Sequence, residues 1–370
     1  MDNINKLRPK ELFYMIIVTV PPLLMLFIPN YANIYLGIDA WWIFALIAVI
    51  DIVFAYFIVR IGIMAPQRTV VGMCRYAFGE ALGSVLAALF VLLYAFKSFV
   101  YFRQTLEYVF MSTYTPEPVT YYVVPMVILV VLAQFYRFNT ILRLSNIVFG
   151  VMVATYVILM ISAMRNFEVE NLMPVLVDGA SPVLKALIHF FTWTGNAVVL
   201  LMCFHRTTMK TGVMKYVMLG CTVAYGIVLV LNVMFIGVFG IISGFMTTSV
   251  FELSIFFNGK AYFNNFDSII KLIWIFGTFI RDSIFISCAA ESLAEFFKIE
   301  RDSRIIKIAL PLAIAITSTL LIRNDEVYFM IAMGVSSILC AVVQYGGVLA
   351  LWMGLKVKTK SEAECKEDAA

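Results

Sequence analysis

Residues 183–205, VLKALIHFFTWTGNAVVLLMCFH, are long enough to cross a lipid bilayer, yet their centre reads Thr192-Trp193-Thr194-Gly195-Asn196. A spanning helix needs about 20 mainly apolar residues, and a glycine among polar neighbours in mid-run is a place where such a helix can stop and restart. Residues 19–23, Thr19-Val20-Pro21-Pro22-Leu23, raise the same question in the first apolar run. Two consecutive prolines delete two backbone donors and crowd the preceding turn. The interruptions fall in the first and sixth apolar runs, which correspond if ten runs divide five and five. Membrane transporters built from inverted repeats place their binding site where corresponding helices unwind. The expected fold is therefore an all-α polytopic membrane protein of about ten spans in a five-plus-five inverted repeat, with helices one and six broken. A plainer reading, in which prolines and small polar residues only kink packed helices, fits the same stretches.

Composition supports a bilayer-embedded chain. Of 370 residues, 62% are hydrophobic and 14% charged, and mean hydropathy is +0.95; soluble domains are about 25% charged. The apolar runs lack the alternation of barrel strands, whereas helices satisfy their own backbone in hydrocarbon. Spans are expected near 11–31, 39–63, 81–112, 119–136, 141–164, 183–205, 212–243, 266–297, 305–322 and 326–355, with longer linkers only at 165–182 and 244–265. The chain reads as a single transmembrane domain, residues 1–370, with repeats at about 11–164 and 183–355 and a disordered, charged tail at 356–370. The first run is too long for a signal peptide and no small-residue cleavage site follows it.

Of the 27 basic residues, 19 fall on the side of the termini and four on the other, Arg165, Lys185, Lys260 and Arg323. The positive-inside rule makes both termini cytoplasmic. A net charge of +4 spread over short loops is no nucleic-acid patch, and six scattered cysteines suggest neither disulfides nor zinc. His189 and His205 are lone, so no metal site and no cofactor are expected. No nucleophile elbow, P-loop or dinucleotide fingerprint occurs, so no catalytic residue is assigned and an enzyme is not expected. Gly79/Gly83 and Gly240/Gly244 have GxxxG spacing and suggest close helix packing.

Charges at bilayer depth are costly, about 2.5–3.5 kcal/mol each on insertion scales, so they face a partner or a cavity. Asp51, Lys97, Arg281 and Asp282 form the expected intramembrane network, in which Lys97 or Arg281 partners an acidic residue, Asp282 or Asp51; Lys97 with Asp282 and Arg281 with Asp51 are the pairs considered. Arg103 and Glu107, one turn apart, suit a local pair. Lys97, Tyr101, Gln104 and Tyr108 share one helix face. A small-molecule pocket is expected between Val20, Pro21, Pro22 and Leu23 on one side and Thr192, Trp193, Thr194, Gly195 and Asn196 on the other, with Tyr101 and Phe279 as aromatic walls. A bulky side chain at Gly195 is expected to fill it.

Three stretches resemble a known family. They are Asn171-Leu172-Met173-Pro174-Val175-Leu176-Val177-Asp178-Gly179 with Pro182-Val183-Leu184-Lys185, Phe266-Asp267 through Trp274-Ile275-Phe276-Gly277-Thr278-Phe279-Ile280 to Leu293-Ala294-Glu295-Phe296-Phe297, and Leu7-Arg8-Pro9-Lys10-Glu11-Leu12 with Gly37-Ile38-Asp39-Ala40-Trp41. Their order along residues 7–355 resembles the endospore germination permeases, the B subunits of GerA-type nutrient germinant receptors. That resemblance implies a LeuT/APC-like fold, within the amino acid/polyamine/organocation transporter superfamily. It also implies the inner membrane of a spore-forming bacterium, A-type and lipoprotein C-type receptor subunits as partners, and a small nutrient such as an amino acid as ligand. The family often has an acidic residue after the sixth-helix glycine, where this chain has Asn196. Three functions remain open: a nutrient-sensing receptor subunit, a secondary transporter of amino acids or related solutes, and a scaffolding subunit with a vestigial pocket.

Overall fold

In a computed structural model, residues 6–113, 120–208, 212–246, 249–255, 266–300, 303–321 and 325–367 are described; Lys210, Lys260, Arg301 and Arg323 of the basic count lie outside them. Helices account for nearly all of these residues, and the only β feature among them is an isolated bridge between Leu7 and Thr207.

The first span is α1 (Pro9–Leu24) followed by α2 (Ile28–Leu36). Pro9 starts α1, where a missing donor costs nothing, and Arg8 N donates to Glu11 Oε2 at 2.8 Å. The second span is α3 (Trp41–Met64). Helix α4 (Val70–Thr113) turns at Gly79 (φ 78°, ψ −179°), which separates residues 70–78 from the third span. A Cβ at Gly83 would come 2.5 Å from Cys74 O, so Gly79 and Gly83 build an elbow within one segment rather than a contact between spans. Helices α5 (Thr120–Phe135) and α6 (Phe138–Met164) complete the first half.

The second half opens with α7 (Ser181–Phe190), which runs through short 3₁₀ turns to Arg206. Then come α8 (Val213–Phe239), the short α9 (Ser249–Ile255), α10 (Phe266–Phe296) and α11 (Arg304–Ile316). The last span is α12 (Asp325–Met333), α13 (Val335–Ala341) and α14 (Val348–Glu367), with a π-helical stretch at Val342–Gly347. Among the described residues, six helical stretches are long and apolar enough to cross a membrane by themselves. Helix α10, at 31 residues, is long enough but carries Lys271, Arg281, Asp282 and Glu291; α5 and α11 are short, at 16 and 13 residues. Broken pieces joined, the described residues form ten spans. Segment 356–367, expected to be disordered, instead continues α14, where Tyr76 Oη donates to Glu362 Oε1 at 2.6 Å.

Helix α1 lies at the centre, packed on α6, α8 and α10, while α10 also lies along α4. Large apolar side chains such as Val49, Leu82, Ile147 and Ile161 point outward on other faces. That is the inversion expected where lipid is the solvent.

Candidate functional site

The first-span interruption is not where the prolines suggest. Helix α1 continues through Pro21 and Pro22 and ends at Leu24, with non-helical residues Met25–Phe27 before α2. A proline removes the bond to the carbonyl four residues before it, but its own carbonyl still accepts. Met25 N accordingly bonds Pro21 O at 3.0 Å. Ile17 O, deprived of Pro21 as donor, accepts from Tyr156 Oη at 3.2 Å. Beyond the prolines, side chains from other spans satisfy the carbonyls: Trp274 Nε1 reaches Pro22 O (3.4 Å), Gln104 Nε2 reaches Leu23 O (3.2 Å) and Ser249 Oγ reaches Met25 O (2.6 Å). Val20, Pro21, Pro22 and Leu23 are therefore buried helical residues just before the break.

The sixth-span interruption does fall within the expected stretch. Thr194 is extended (φ −92°, ψ −177°) and Gly195 left-handed (φ 66°, ψ 26°). A left-handed residue is readily tolerated only as glycine. The carbonyls before the break and the amide after it lose their helical partners, and two buried charges take their places. On α3, Asp51 accepts Gly195 N on both carboxylate oxygens at 2.9 Å. It also accepts Tyr345 Oη at 2.5 Å, and Tyr225 Oη. On α4, Lys97 Nζ donates to Thr194 O (2.6 Å), Thr192 O (3.1 Å) and Tyr101 Oη (3.0 Å). Tyr101 Oη donates in turn to Asn196 Oδ1 at 2.7 Å, and Asn196 Nδ2 to Trp193 O at 2.9 Å. The polarity follows the half-helix dipoles: the cation meets the carbonyl end and the carboxylate the amide end.

Arg281 does have an acidic partner inside the bundle, but Asp282 rather than Asp51. Arg281 bonds its own neighbour Asp282, Nη2 to Oδ1 at 2.8 Å, and donates to Tyr101 O (3.0 Å) and Thr105 Oγ1 (2.6 Å). Lys97 therefore does not pair with Asp282, nor Arg281 with Asp51. A long guanidinium can fold back to an adjacent carboxylate, which a face-by-face reading of the helix does not anticipate. Tyr101 links the two groups, its ring centroid 5.5 Å from Lys97 Nζ and 5.2 Å from the Arg281 guanidinium. Arg103 lies 5.8 Å from the Tyr328 ring. His189 Nδ1 sits 2.9 Å from Met333 O, and His205 lies beside Arg206.

Between the two breaks lies a narrow gap with no room for a water molecule; Phe27, Ile28, Tyr31, Gln104, Trp193, Tyr328, Phe329 and Met333 line it. It adjoins Phe27 rather than the proline pair, and Tyr101 and Phe279 are not among its walls. Phe279 is half-buried and packs against the main apolar core and against the smaller cluster that holds Phe102 and Leu106. Gln104 Oε1 and Trp193 Nε1 have no hydrogen-bond partner among the described residues. A wider cleft of about 520 Å³ lies away from both breaks, near Gln134, Arg137, Arg206 and Glu291. None of the residues expected at the site reaches it.

Sequence reasoning missed Tyr225, Gln344, Tyr345 and the α12 wall. The π-helical stretch turns both Gln344 and Tyr345 onto the sixth-span break, where Gln344 Nε2 donates to Phe191 O (2.9 Å) and Thr194 Oγ1 (3.0 Å). Such wide turns cannot be read from periodicity, although they are frequent at functional sites.

Ten helical spans, with interruptions in the first span of each half meeting at a central point, define a polytopic membrane protein of LeuT-like transporter fold. Two structures of the manganese transporter of Eremococcus coleocola share it. A mutant form matches with TM-score 0.58 at 11% identity over 93% of this chain and 77% of the transporter. A complex with an aromatic bis-isothiourea compound matches with the same score and coverage at 12% identity. Residues 6–327 match the spore germination protein family, and the chain belongs to that permease family. Spore germination protein YndE of Bacillus subtilis (strain 168) is 23% identical over 266 residues, which cover 70% of this chain and 72% of that protein. Members of this family are membrane proteins, not enzymes.

Proposed function

We propose that this chain is the nutrient-sensing subunit of a spore germinant receptor, and that a small germinant, an amino acid or a similar solute, enters between the two broken spans. One observation carries the reading: the breaks of the first and sixth spans converge on α4 around a narrow gap that admits no water molecule. Ligand pockets are usually about 300–1,000 Å³, so occupancy requires α2 and α12 to move away from Trp193 and Gln104. A ligand that binds only the opened arrangement shifts the equilibrium toward it, which is what a sensor requires. The unpartnered Trp193 Nε1 donor and Gln104 Oε1 acceptor would orient the polar groups of that ligand.

Replacing Gln104 with leucine keeps its bulk and removes the free Oε1 acceptor together with the Nε2 bond to Leu23 O, so the amount of receptor in the membrane is measured alongside. A buried hydrogen bond lost to a ligand is worth about 1–2 kcal/mol. The nutrient concentration for half-maximal germination should therefore rise about tenfold, in spores whose receptor is otherwise intact. An unchanged dose response across a nutrient panel would place the ligand elsewhere.

The receptor assembly expected from the family, with A-type and lipoprotein C-type subunits, is part of this proposal, as is the division into one transmembrane domain of two repeats. Co-purification from spore membranes tests the assembly. The charge bias, 19 basic residues against four, supports cytoplasmic termini in the inner spore membrane. Reporter fusions after Tyr114, which lies outside the described residues, and after Arg206 should report external and cytoplasmic locations respectively. The reverse at either point overturns the orientation.

A secondary transporter of amino acids or related solutes is the competing reading, favoured by the transporter fold itself. Gradient-driven accumulation of labelled nutrient in vesicles containing only this chain would establish it.

A further inference from the structure

Lys97 Nζ is solvated much as a bare ion would be. Its three protons meet three oxygens, Thr194 O (2.6 Å), Thr192 O (3.1 Å) and Tyr101 Oη (3.0 Å). The residue is fully buried, and among the described residues no carboxylate lies within ion-pair distance of it. Asp51 balances the charge from the far side of the break, through Gly195 N. Carbonyls exposed where a spanning helix unwinds are the usual ligands of dissolved cations in proteins of this architecture. Here the same carbonyls are held by a side chain of the chain itself.

We infer that the carbonyls of the sixth-span break, with Tyr101 Oη, form a monovalent-cation site whose resident cation is the Lys97 ammonium, so that the closed state needs no dissolved ion. The inference does not depend on which ligand the neighbouring space takes, because Lys97 does not line it. A tethered cation suits a protein that must hold one state through changes of ionic medium. It also specifies what deletion of the ammonium should create: three preorganised oxygens, two of them backbone atoms that no side-chain substitution removes, and an uncompensated Asp51 beside them.

The test is thermal unfolding of the purified full-length protein in lipid nanodiscs. Chloride salts of N-methyl-D-glucamine, sodium, potassium and methylammonium are compared at equal ionic strength. The wild-type midpoint should be the same in all four. Lys97→Met should melt lower in N-methyl-D-glucamine and recover, saturably and by at least about 3 °C, in at least one small cation. Adding Tyr101→Phe, which removes one oxygen of the three, should reduce that recovery. A Lys97→Met midpoint indifferent to the cation overturns the inference, as does saturable stabilisation of the wild type by sodium or potassium. Should Lys97→Met yield no folded protein in any salt, the wild-type series decides by itself: indifference supports the tethered cation and a saturable shift refutes it. Because the readout is stability rather than germination, its outcome is separate from that of the sensing proposal.

Discussion

Asp51→Ala is expected to lose most of its folded protein from the membrane. The carboxylate accepts Gly195 N twice at 2.9 Å and Tyr345 Oη at 2.5 Å, as well as Tyr225 Oη, at a site with no exposure. Removing it leaves the buried Gly195 N and Tyr225 Oη donors without an acceptor, Tyr345 Oη with only Thr194 Oγ1 at 2.7 Å, and the Lys97 ammonium without its counter-charge. Breaking a buried charge arrangement from one side costs about 3–5 kcal/mol, a large part of the about 5–15 kcal/mol that holds a typical domain folded. Asp51→Asn retains the shape, but its carboxamide turns one NH₂ group toward donors. It should fall between wild type and alanine. The measurement is the unfolding midpoint after solubilisation, with membrane accumulation as a second readout. An alanine variant as stable as wild type would show that the carboxylate does not organise the break.

The second large effect is expected at Gly195. Its φ of +66° costs any L-residue about 1–2 kcal/mol, and a Cβ there would stand 2.5 Å from Gln344 Cδ and 2.6 Å from Gln344 Oε1. Gln344 cannot easily yield, since its amide nitrogen is held by Phe191 O and Thr194 Oγ1 at 2.9 and 3.0 Å. Overpacking adds about 1–3 kcal/mol, so Gly195→Ala should destabilise by about 2–5 kcal/mol and abolish the nutrient response. Combined with Gln344→Ala it should regain the steric part and not the conformational part. Equal midpoints for Gly195→Ala and wild type would show that the left-handed turn is not required. A bulky residue at position 195, which the sequence suggested would plug the pocket, points into Gln344 instead. It would fail by disrupting the last span rather than by occupying the ligand space.

Much of the fold is legible in the amino-acid sequence. Uninterrupted apolar runs of spanning length leave the backbone no alternative to helices in hydrocarbon, so the ten spans follow closely from composition and spacing. The sixth-span break was legible as well. Glycine flanked by Thr194 and Asn196 in an otherwise apolar run signals both conformational freedom and polar partners. Asp51, Lys97, Arg281 and Asp282 are fully buried, in keeping with the cost of facing lipid with a charge.

What remained undecided depends on which spans are neighbours. Pro21 and Pro22 announce an interruption, but its site at Met25–Phe27 is decided by whichever side chains can satisfy the freed carbonyls, and Trp274, Gln104 and Ser249 come from three distant segments. Charge pairing is likewise a matter of reach. Arg281 meets Asp282 beside it, while Asp51 and Lys97 meet backbone dipoles that exist only because the sixth span is broken. Tyr225 and Tyr345 look like ordinary apolar-run aromatics until packing and a π-helical turn bring their hydroxyls to Asp51. Hydrophobic length and local conformational freedom are properties of the chain taken a few residues at a time, and the sequence determines them alone. Apart from the adjacent Arg281 and Asp282, the partners of these buried polar atoms come from segments 81 to 294 residues away in the chain, and only the tertiary structure could assign them.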